Sequence, residues 1–276
     1  MFKKLIPKII GKLLECLSFF APNKATKIAF DLFCKPRKGK AQPNHNEFFK
    51  TAIQKKINTN NHSIATYQWK GKGKTIFLLH GWESNSFRWR NLVELLKLEE
   101  YNIIAIDAPA QGNSTGKYLN VPLYTECVKD IAKIYNPEII IGHSLGGMTS
   151  IYYQYKYQDE NINKIVALGP PSELKLFLIV FQNTIGVSNK FMQKFEEFLF
   201  KKYGSYSKEF SIAKYARSLT CEGLLVLDKN DNLAPYKLSK RIANKWDNCE
   251  LMTVEGIGHS LQSNQINDRI LDFIKE

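Results

Sequence analysis

The sequence Gly142-His143-Ser144-Leu145-Gly146 is the motif with the clearest chemical meaning in this chain. Apolar residues at 139–141 precede it, and Gly147 follows it, which predicts a strand, a tight turn and a helix. Small residues must flank the serine in such a turn, because the strand and the helix approach each other closely. The turn exposes the hydroxyl at a helix N-terminus, whose dipole favours developing negative charge. Ser144 is therefore a candidate nucleophile.

A serine hydroxyl is a weak nucleophile at neutral pH and needs a neighbouring base. Two of the five histidines, His45 and His62, lie in the predicted N-terminal linker and turn region. His143 points away from the turn beside the serine. His259 lies in Gly256-Ile257-Gly258-His259-Ser260, a glycine-rich loop that follows the last predicted strand. Loops of this kind hold catalytic groups on a rigid scaffold, so His259 is the candidate base.

A catalytic histidine needs a carboxylate on its far nitrogen, which fixes the tautomer and the orientation of the ring. Two aspartates, Asp228 and Asp231, follow the predicted strand at 224–227. Asp231 stands directly before Asn232-Leu233-Ala234-Pro235 and precedes His259 in the chain. Both carboxylates are candidates on their residue type and position alone.

Apolar runs alternate with helical patterns over most of the chain. Continuous apolar strands separated by helices are typical of a mostly parallel sheet that is covered on both faces, which places the chain in the α/β class. Parallel strands end at one edge of the sheet, so the residues that follow them can meet there. The predicted strands of this sheet are 75–79, 103–106, 139–141, 165–168, 224–227 and 250–254.

Five motifs in this order resemble the α/β-hydrolase superfamily from about Lys74 to the C-terminus. They are His80-Gly81-Trp82, the segment 107–114, the Ser144 turn, the segment 231–235 and the His259 loop. In that superfamily the acid usually stands two residues before a Val/Ala-Pro pair, so the resemblance implies Asp231 rather than Asp228. Ala110 departs from the glycine that is more usual in the second motif. The expected fold is the α/β-hydrolase fold.

Acyl transfer through a serine forms a tetrahedral oxyanion that needs preorganised N–H donors. The backbone N–H of Leu145, directly after the nucleophile, is one expected donor of this oxyanion hole. The resemblance implies that the backbone N–H of Trp82 is the other. The His80 side chain is expected to brace this loop, and Asp107 and Ser114 are expected to be structural. The chemistry requires no cofactor and no metal ion.

The predicted organisation has three parts. Residues 1–46 form N-terminal helices and a linker, and residues 47–170 and 221–276 form the α/β core. Residues 171–220 carry helical patterns with many aromatic side chains and form an inserted helical cap. We interpret the cap as a shield that shapes the substrate pocket. The alternative is a helical layer that only thickens the core.

Residues 2–20 predict a basic amphipathic helix with Lys3, Lys4, Lys8 and Lys12 opposite an apolar face. Such a helix packs its apolar stripe on the protein or lies on a membrane surface, and we favour packing on the protein. Lysines and Glu15 interrupt the apolar run, so it is not typical of a signal peptide. The apolar runs are also too short to span a bilayer.

The net charge of +13 comes without a nucleic-acid-binding motif, so no nucleic-acid partner is expected. Five dispersed cysteines match neither a disulfide framework nor a zinc site, which favours a reducing, cytoplasmic location. The basic N-terminal helix adds peripheral association with a membrane as an alternative.

The predicted function is a serine hydrolase that cleaves a carboxylic ester of a hydrophobic small or lipid-like acyl substrate. The alternatives are a thioesterase, an acyltransferase, a carbon–carbon bond hydrolase or a non-catalytic ligand-binding protein. The oligomeric state stays open.

Overall fold

The computed structural model describes residues 2–276, with side chains described from Leu5 onward. The chain forms two compact units. One, the sheet unit, consists of Pro36–Ser172 and Ile212–Glu276. The other, the helical unit, consists of the N-terminal segment up to Lys35 and the insertion Glu173–Ser211.

Eight strands form one sheet within the described residues of the sheet unit. Their order across the sheet is β1-β2-β4-β3-β5-β6-β7-β8, and all neighbours from β4 to β8 are parallel. Of the eight strands, β2 alone runs in the opposite direction, so it is antiparallel to both of its neighbours, β1 and β4. This sheet confirms the predicted fold class. The strands are β1 (Ile53–Thr59), β2 (His62–Trp69), β3 (Thr75–Leu79), β4 (Asn102–Ile106), β5 (Ile139–His143), β6 (Lys164–Leu168), β7 (Glu222–Asp228) and β8 (Cys249–Val254).

The helices connect the strands or build the helical unit. Helices α1, α2, α7 and α8 belong to the helical unit, and the others belong to the sheet unit. Short 3-10 helices occupy Pro43–His45 and Ser86–Trp89. Among residues 2–276 the α-helices are α1 (Phe2–Phe20), α2 (Pro22–Cys34), α3 (Asn46–Lys50), α4 (Arg90–Leu98), α5 (Val121–Tyr135), α6 (Leu145–Tyr157), α7 (Leu174–Ile185), α8 (Asn189–Tyr203), α9 (Ile212–Ala216), α10 (Tyr236–Ala243) and α11 (Asn264–Lys275).

The burial of each strand follows its position in the sheet. Strands β5 and β6 are buried along their whole length, because a central parallel strand has helices on both faces. Strand β1, at one edge, is largely exposed and carries Lys55 and Lys56, which discourage pairing with another chain. The carboxyl ends of β3, β5, β7 and β8 share one edge. The loops after these strands therefore meet there.

Asp107, just beyond β4, fastens three segments around this edge. Its fully buried carboxylate accepts hydrogen bonds from the Tyr67 hydroxyl (2.9 Å), from the Ser86 N–H (2.8 Å) and Oγ (2.7 Å), and from the Asn113 N–H (2.8 Å). The Ser114 hydroxyl donates to the Asp107 carbonyl at 2.7 Å. These contacts give Asp107 and Ser114 the structural role that the sequence predicts.

The helical unit brings the N-terminal helices against the insertion. Helix α1 contacts α2 and α7, and α2 contacts α8. The ring of Phe33 on α2 packs edge-on against Phe181 of α7 (5.2 Å) and Phe195 of α8 (6.4 Å). Phe195 is fully buried and the other two rings are half-buried, and aromatic contacts of this kind stabilise a small unit. The N-terminal segment is thus part of a folded body with the insertion.

Helix α1 buries only part of the apolar face that the sequence predicts. Its buried residues are Gly11, Leu14 and Ser18, whereas Leu5 and Leu13 of the apolar stripe are exposed. A Cβ atom at position 11 would lie 1.9 Å from the carbonyl oxygen of Ile185, so only glycine permits this approach of α1 to α7. Helix α1 therefore packs on the protein as expected, but only the Leu14 side of its apolar residues is buried. Close backbone approach at Gly11, together with burial of Leu14, decides which face is buried.

Two further sequence expectations concern location. No helix among residues 2–276 is both long and apolar enough to cross a bilayer. The five cysteines are free, and Cys34, Cys127 and Cys221 are buried. The cytoplasmic location stays a prediction.

We predict that Asp107→Ala destabilises the protein by about 3 kcal/mol, because several buried donors lose their shared acceptor. Urea unfolding followed by circular dichroism measures this difference. Asp247→Ala, at an exposed turn of the same unit, is the matched control and is expected to change the free energy of unfolding by less than about 0.5 kcal/mol. Equal stabilities of the two variants would contradict the role given to Asp107.

Candidate functional site

Ser144 stands in the tight turn between β5 and α6, in a strained backbone conformation with positive φ (φ 52°, ψ −118°). A Cβ atom at Gly142 would lie 2.5 Å from the Gly146 carbonyl oxygen, and one at Gly146 would lie 2.1 Å from the Leu79 carbonyl oxygen. Both positions must therefore be glycine. A non-glycine residue at positive φ costs about 1–3 kcal/mol and persists only where the surroundings enforce it. The turn that the motif predicts is present.

The structure brings Ser144, His259 and Asp231 together at the edge of the sheet. The Nε2 atom of His259 lies 2.9 Å from the Oγ atom of Ser144. Its Nδ1 atom lies 2.7 Å from the Oδ2 atom of Asp231. Ser144 comes from the loop after β5, Asp231 from the loop after β7 and His259 from the loop after β8. The parallel strand order thus places side chains from three distant segments in one hydrogen-bonded row.

Asp231 is held as a buried carboxylate. Burial raises the pKa of Asp231, but hydrogen bonds from His259 and from the N–H groups of Leu233 and Ala234 outweigh that effect and lower it. An ionised Asp231 accepts a hydrogen bond from the N–H group at Nδ1 of His259, and the proton stays on the ring. The Nε2 atom of a neutral His259 is then free to accept the proton of Ser144. This arrangement can abstract a hydroxyl proton and support nucleophilic attack.

Asp228, the other candidate acid, has a different place. Its Oδ2 atom accepts hydrogen bonds from the N–H groups of Ile257 (2.6 Å) and Gly258 (2.8 Å), and its Oδ1 atom accepts one from Asn230 (2.7 Å). Burial raises the pKa of Asp228, but these N–H donors dominate and lower it. Asp228 therefore holds the main chain directly before His259. The resemblance selected Asp231, and Asp231 is the aspartate that contacts the ring.

The backbone around Gly81 approaches the serine closely. A Cβ atom at Gly81 would lie 2.9 Å from the Cβ atom of Ser144, so a side chain at this position would strike the site. Neither the Trp82 N–H nor the Leu145 N–H donates a hydrogen bond to another group in the described part of the chain. Both amides therefore remain available to an acceptor other than the protein. Their role as an oxyanion hole stays a prediction.

The His80 side chain braces the loop that leads to Gly81, as the sequence predicts. Its Nε2 atom accepts the N–H of Ala108 at 2.9 Å, so its Nδ1 atom carries the proton and donates to the Gly81 carbonyl oxygen at 2.8 Å. Burial lowers the pKa of His80 although the nearby Asp107 opposes that effect. A buried neutral imidazole thus ties this loop to the end of β4.

His143 holds the main chain of the His259 loop, and it does so together with Arg88, which the sequence alone did not indicate. The Nε2 atom of His143 donates to the His259 carbonyl oxygen at 2.7 Å. Arg88 donates from Nη1 to the Nδ1 atom of His143 (2.7 Å) and from Nη2 to the Ser260 carbonyl oxygen (3.0 Å). We call Arg88 and His143 the loop brace. No local motif marks Arg88, which lies far from its partners in sequence.

The loop brace requires an uncharged His143. A guanidinium only donates, so Nδ1 of His143 must be an acceptor and its single proton must be on Nε2. Burial lowers the pKa of His143 far below its ordinary value, and the neighbouring charge of Arg88 adds to the effect. Burial also lowers the pKa of Arg88, which still carries its charge at neutral pH. In the loop brace, Arg88 therefore carries the positive charge and His143 is neutral.

Comparisons with known proteins agree with this fold. Residues 74–205 match the family model described as alpha/beta hydrolase fold. The uncharacterized hydrolase YugF of Bacillus subtilis is 23% identical over 255 residues, which cover 76% of this chain and 92% of that protein. A putative esterase/lipase of Mycoplasma genitalium is 24% identical over 255 residues, covering 79% of this chain and 95% of that protein. The solved structure of an esterase from Pyrococcus furiosus superposes with a TM-score of 0.65 at 22% identity, over 87% of this chain and 98% of that one.

We predict that the protein loses stability as the pH falls from about 7 to about 5.5, partly through His143. The unfolded chain binds a proton at His143 near its ordinary pKa of about 6.5, whereas the folded chain does not, so acid favours unfolding. His143→Gln keeps a donor toward the His259 carbonyl but cannot titrate. Its free energy of unfolding, measured with urea at both pH values, should fall by about 1 kcal/mol less than that of the wild type. Identical losses in the two proteins would show that His143 is protonated in the folded state.

Proposed function

Because this chain belongs to the α/β-hydrolase superfamily, we propose that it is a serine hydrolase that cleaves carboxylic esters of hydrophobic small or lipid-like acyl groups. One observation carries the proposal: the ring of His259 stands between the Ser144 hydroxyl and the Asp231 carboxylate at hydrogen-bonding distance on both sides. That arrangement serves acyl transfer through a serine. A ligand-binding protein would have no need of it.

In the proposed reaction, the Oγ atom of Ser144 attacks the carbonyl carbon of the ester while Nε2 of His259 takes the hydroxyl proton. The carbonyl oxygen becomes an oxyanion, which the N–H groups of Trp82 and Leu145 stabilise. The carbon–oxygen bond to the leaving group then breaks, and His259 returns its proton to the departing alkoxide. An acyl group remains on Ser144, and the alcohol leaves.

Water completes the cycle in the second half of the reaction. Nε2 of His259 takes a proton from the water as its oxygen attacks the acyl carbon, and a second oxyanion forms. The bond from the acyl carbon to Oγ of Ser144 breaks, and His259 returns the proton to that oxygen. A carboxylic acid leaves and the free serine is restored. Asp231 stays ionised throughout and stabilises the charged ring.

The proposed bond type rests on relatives of the chain. The Mycoplasma genitalium protein is named a putative esterase/lipase, and the Pyrococcus furiosus protein is an esterase. Esterases and lipases both cleave carboxylic esters, so a hydrophobic carboxylic ester is the substrate class that agrees with both names. The same three residues also serve thioester hydrolysis, which an assay of acyl thioesters beside the oxygen-ester series below distinguishes.

We predict that the wild type hydrolyses p-nitrophenyl esters within a series from acetate to palmitate. Ser144→Ala is expected to lower kcat by about 10⁴-fold to 10⁶-fold, because it removes the nucleophile. Ser218→Ala, an exposed serine of the same unit, is the matched control and should keep wild-type kinetics. The preferred chain length measures the acyl pocket. Turnover of acyl thioesters but of no oxygen ester would refute the proposed bond type, and equal activity of Ser144→Ala would refute the nucleophile.

We further predict that Arg88→Met lowers kcat on the preferred ester by about tenfold and changes KM by less than about twofold. The loop brace positions His259 through main-chain contacts, and a small displacement of a base costs rate more than binding. Arg90→Met is the matched control, because the Arg90 guanidinium lies over the Phe87 ring at 4.8 Å, away from the His259 loop. A rise in KM at constant kcat in Arg88→Met would contradict a positioning role. Unchanged kinetics would contradict it as well.

A further inference from the structure

The outward face of α1 points to a surface that docks on a lipid bilayer. We propose that the apolar stripe, formed by Leu5, Ile6, Ile9, Leu13 and Phe20, inserts into the headgroup region of an anionic membrane. This proposal goes beyond the hydrolase activity and does not depend on it. It rests on the exposure of the stripe, on the contacts that fix α1, and on the distribution of charge.

The residues of the apolar stripe share one side of the helix and are open to solvent. Positions 5, 9 and 13 follow each other at intervals of four, and positions 6, 13 and 20 at intervals of seven, which is the spacing of one helical face. From position 5 to position 20 the stripe is about 22 Å long. Contiguous exposed apolar surfaces of this kind mark interaction sites. The exposed fractions are 53% for Leu5, 57% for Ile6, 49% for Ile9, 65% for Leu13 and 90% for Phe20.

Contacts on the opposite side of α1 prevent the stripe from turning inward. Gly11 lies against the carbonyl of Ile185 at the end of α7. The Glu15 carboxylate accepts the Ser188 N–H at 2.5 Å, and the Lys194 ammonium donates to the Ser18 carbonyl oxygen at 2.9 Å. The orientation of α1 is therefore set by Gly11, by these polar contacts and by the buried side chain of Leu14. Its most apolar face is left for another occupant.

Exposed apolar side chains are concentrated in the helical unit. Of the sixteen large exposed apolar side chains among the described residues, eleven belong to this unit. Helix α7, which contacts α1, adds Ile179 and Val180, which are 42% and 63% exposed. The helical unit contains about a quarter of the chain, so the concentration is far above an even distribution.

Charge decides which occupant fits this surface. The helical unit contains thirteen lysines and six acidic residues, so it carries +7 of the net charge of +13. Lys8 and Lys12 are exposed on α1 beside the stripe. Anionic lipid headgroups attract such lysines while the acyl region takes up the apolar side chains. A second copy of the same positive surface would be repelled, and a nucleic acid offers no apolar counterpart to the stripe.

Cosedimentation of the full chain with lipid vesicles tests the proposal. We compare vesicles of phosphatidylcholine alone with vesicles that contain about one third phosphatidylglycerol at low salt. The wild type is expected to bind the anionic vesicles at least about tenfold more tightly than the neutral ones. The double variant Ile9→Gln and Leu13→Gln should weaken that binding by about tenfold or more, because it removes two of the inserted side chains.

A matched double variant controls for the loss of exposed apolar area. Leu98→Gln and Ile134→Gln remove two side chains that are 80% and 55% exposed in the sheet unit and should leave vesicle binding unchanged. All substituted side chains are exposed, so the variants should keep the wild-type circular dichroism spectrum and thermal midpoint. A separate charge variant, Lys8→Gln with Lys12→Gln, should weaken binding to anionic vesicles only.

Four results would overturn the proposal. The wild type could fail to bind either kind of vesicle, or the stripe variant could bind as tightly as the wild type. Equal binding to neutral and anionic vesicles would refute the choice of an anionic surface. Light scattering gives the fourth: a wild-type dimer that the stripe variant converts to a monomer would assign the stripe to a second copy of the chain.

Discussion

The two hydrogen bonds at the ring of His259 constrain the whole edge of the sheet unit. A histidine ring can face a hydroxyl on one side and a carboxylate on the other only if its loop is fixed to within a fraction of an ångström. Asp228 fixes the loop by accepting hydrogen bonds from the N–H groups of the two residues before His259. His143 fixes it by donating a hydrogen bond to the carbonyl oxygen of His259 itself. Arg88 fixes the next carbonyl. The loop is thus held by side chains from β7, β5 and the segment before α4.

The charged groups around this edge favour protonation of His259 during catalysis. Asp231 is ionised and faces the ring, whereas His143 and His80 are kept neutral by burial. Among the described residues, the cation of Arg88 donates its hydrogen bonds to the His143 ring and the Ser260 carbonyl oxygen rather than to the His259 ring. A positive charge in direct contact with His259 would oppose the protonation that a base must undergo. The loop brace therefore supplies rigidity without placing its charge on the base.

The sequence alone predicts Ser144 and His259, because each lies in a loop whose backbone conformation requires glycines nearby. Those glycines are visible as a motif around each residue. It does not separate Asp228 from Asp231 by chemistry, since both follow one strand, and only the resemblance did so. Arg88 leaves no pattern, because its role depends on contacts with residues that are remote in the chain. Helix α1 has the predicted bounds, but periodicity cannot show which face is buried. The close approach at Gly11 and the polar contacts of Glu15 and Ser18 decide that question.

Reaction of the native protein with a fluorophosphonate tests the central claim most directly, because this probe phosphonylates a serine only when a base activates it. Mass spectrometry of the intact chain should show one adduct per molecule, and peptide mapping should place it on Ser144. His259→Ala and Asp231→Ala should both slow the labelling, and unfolding the protein in urea should abolish it. A native, folded protein that takes up no label, or takes it up at another serine, would contradict the account.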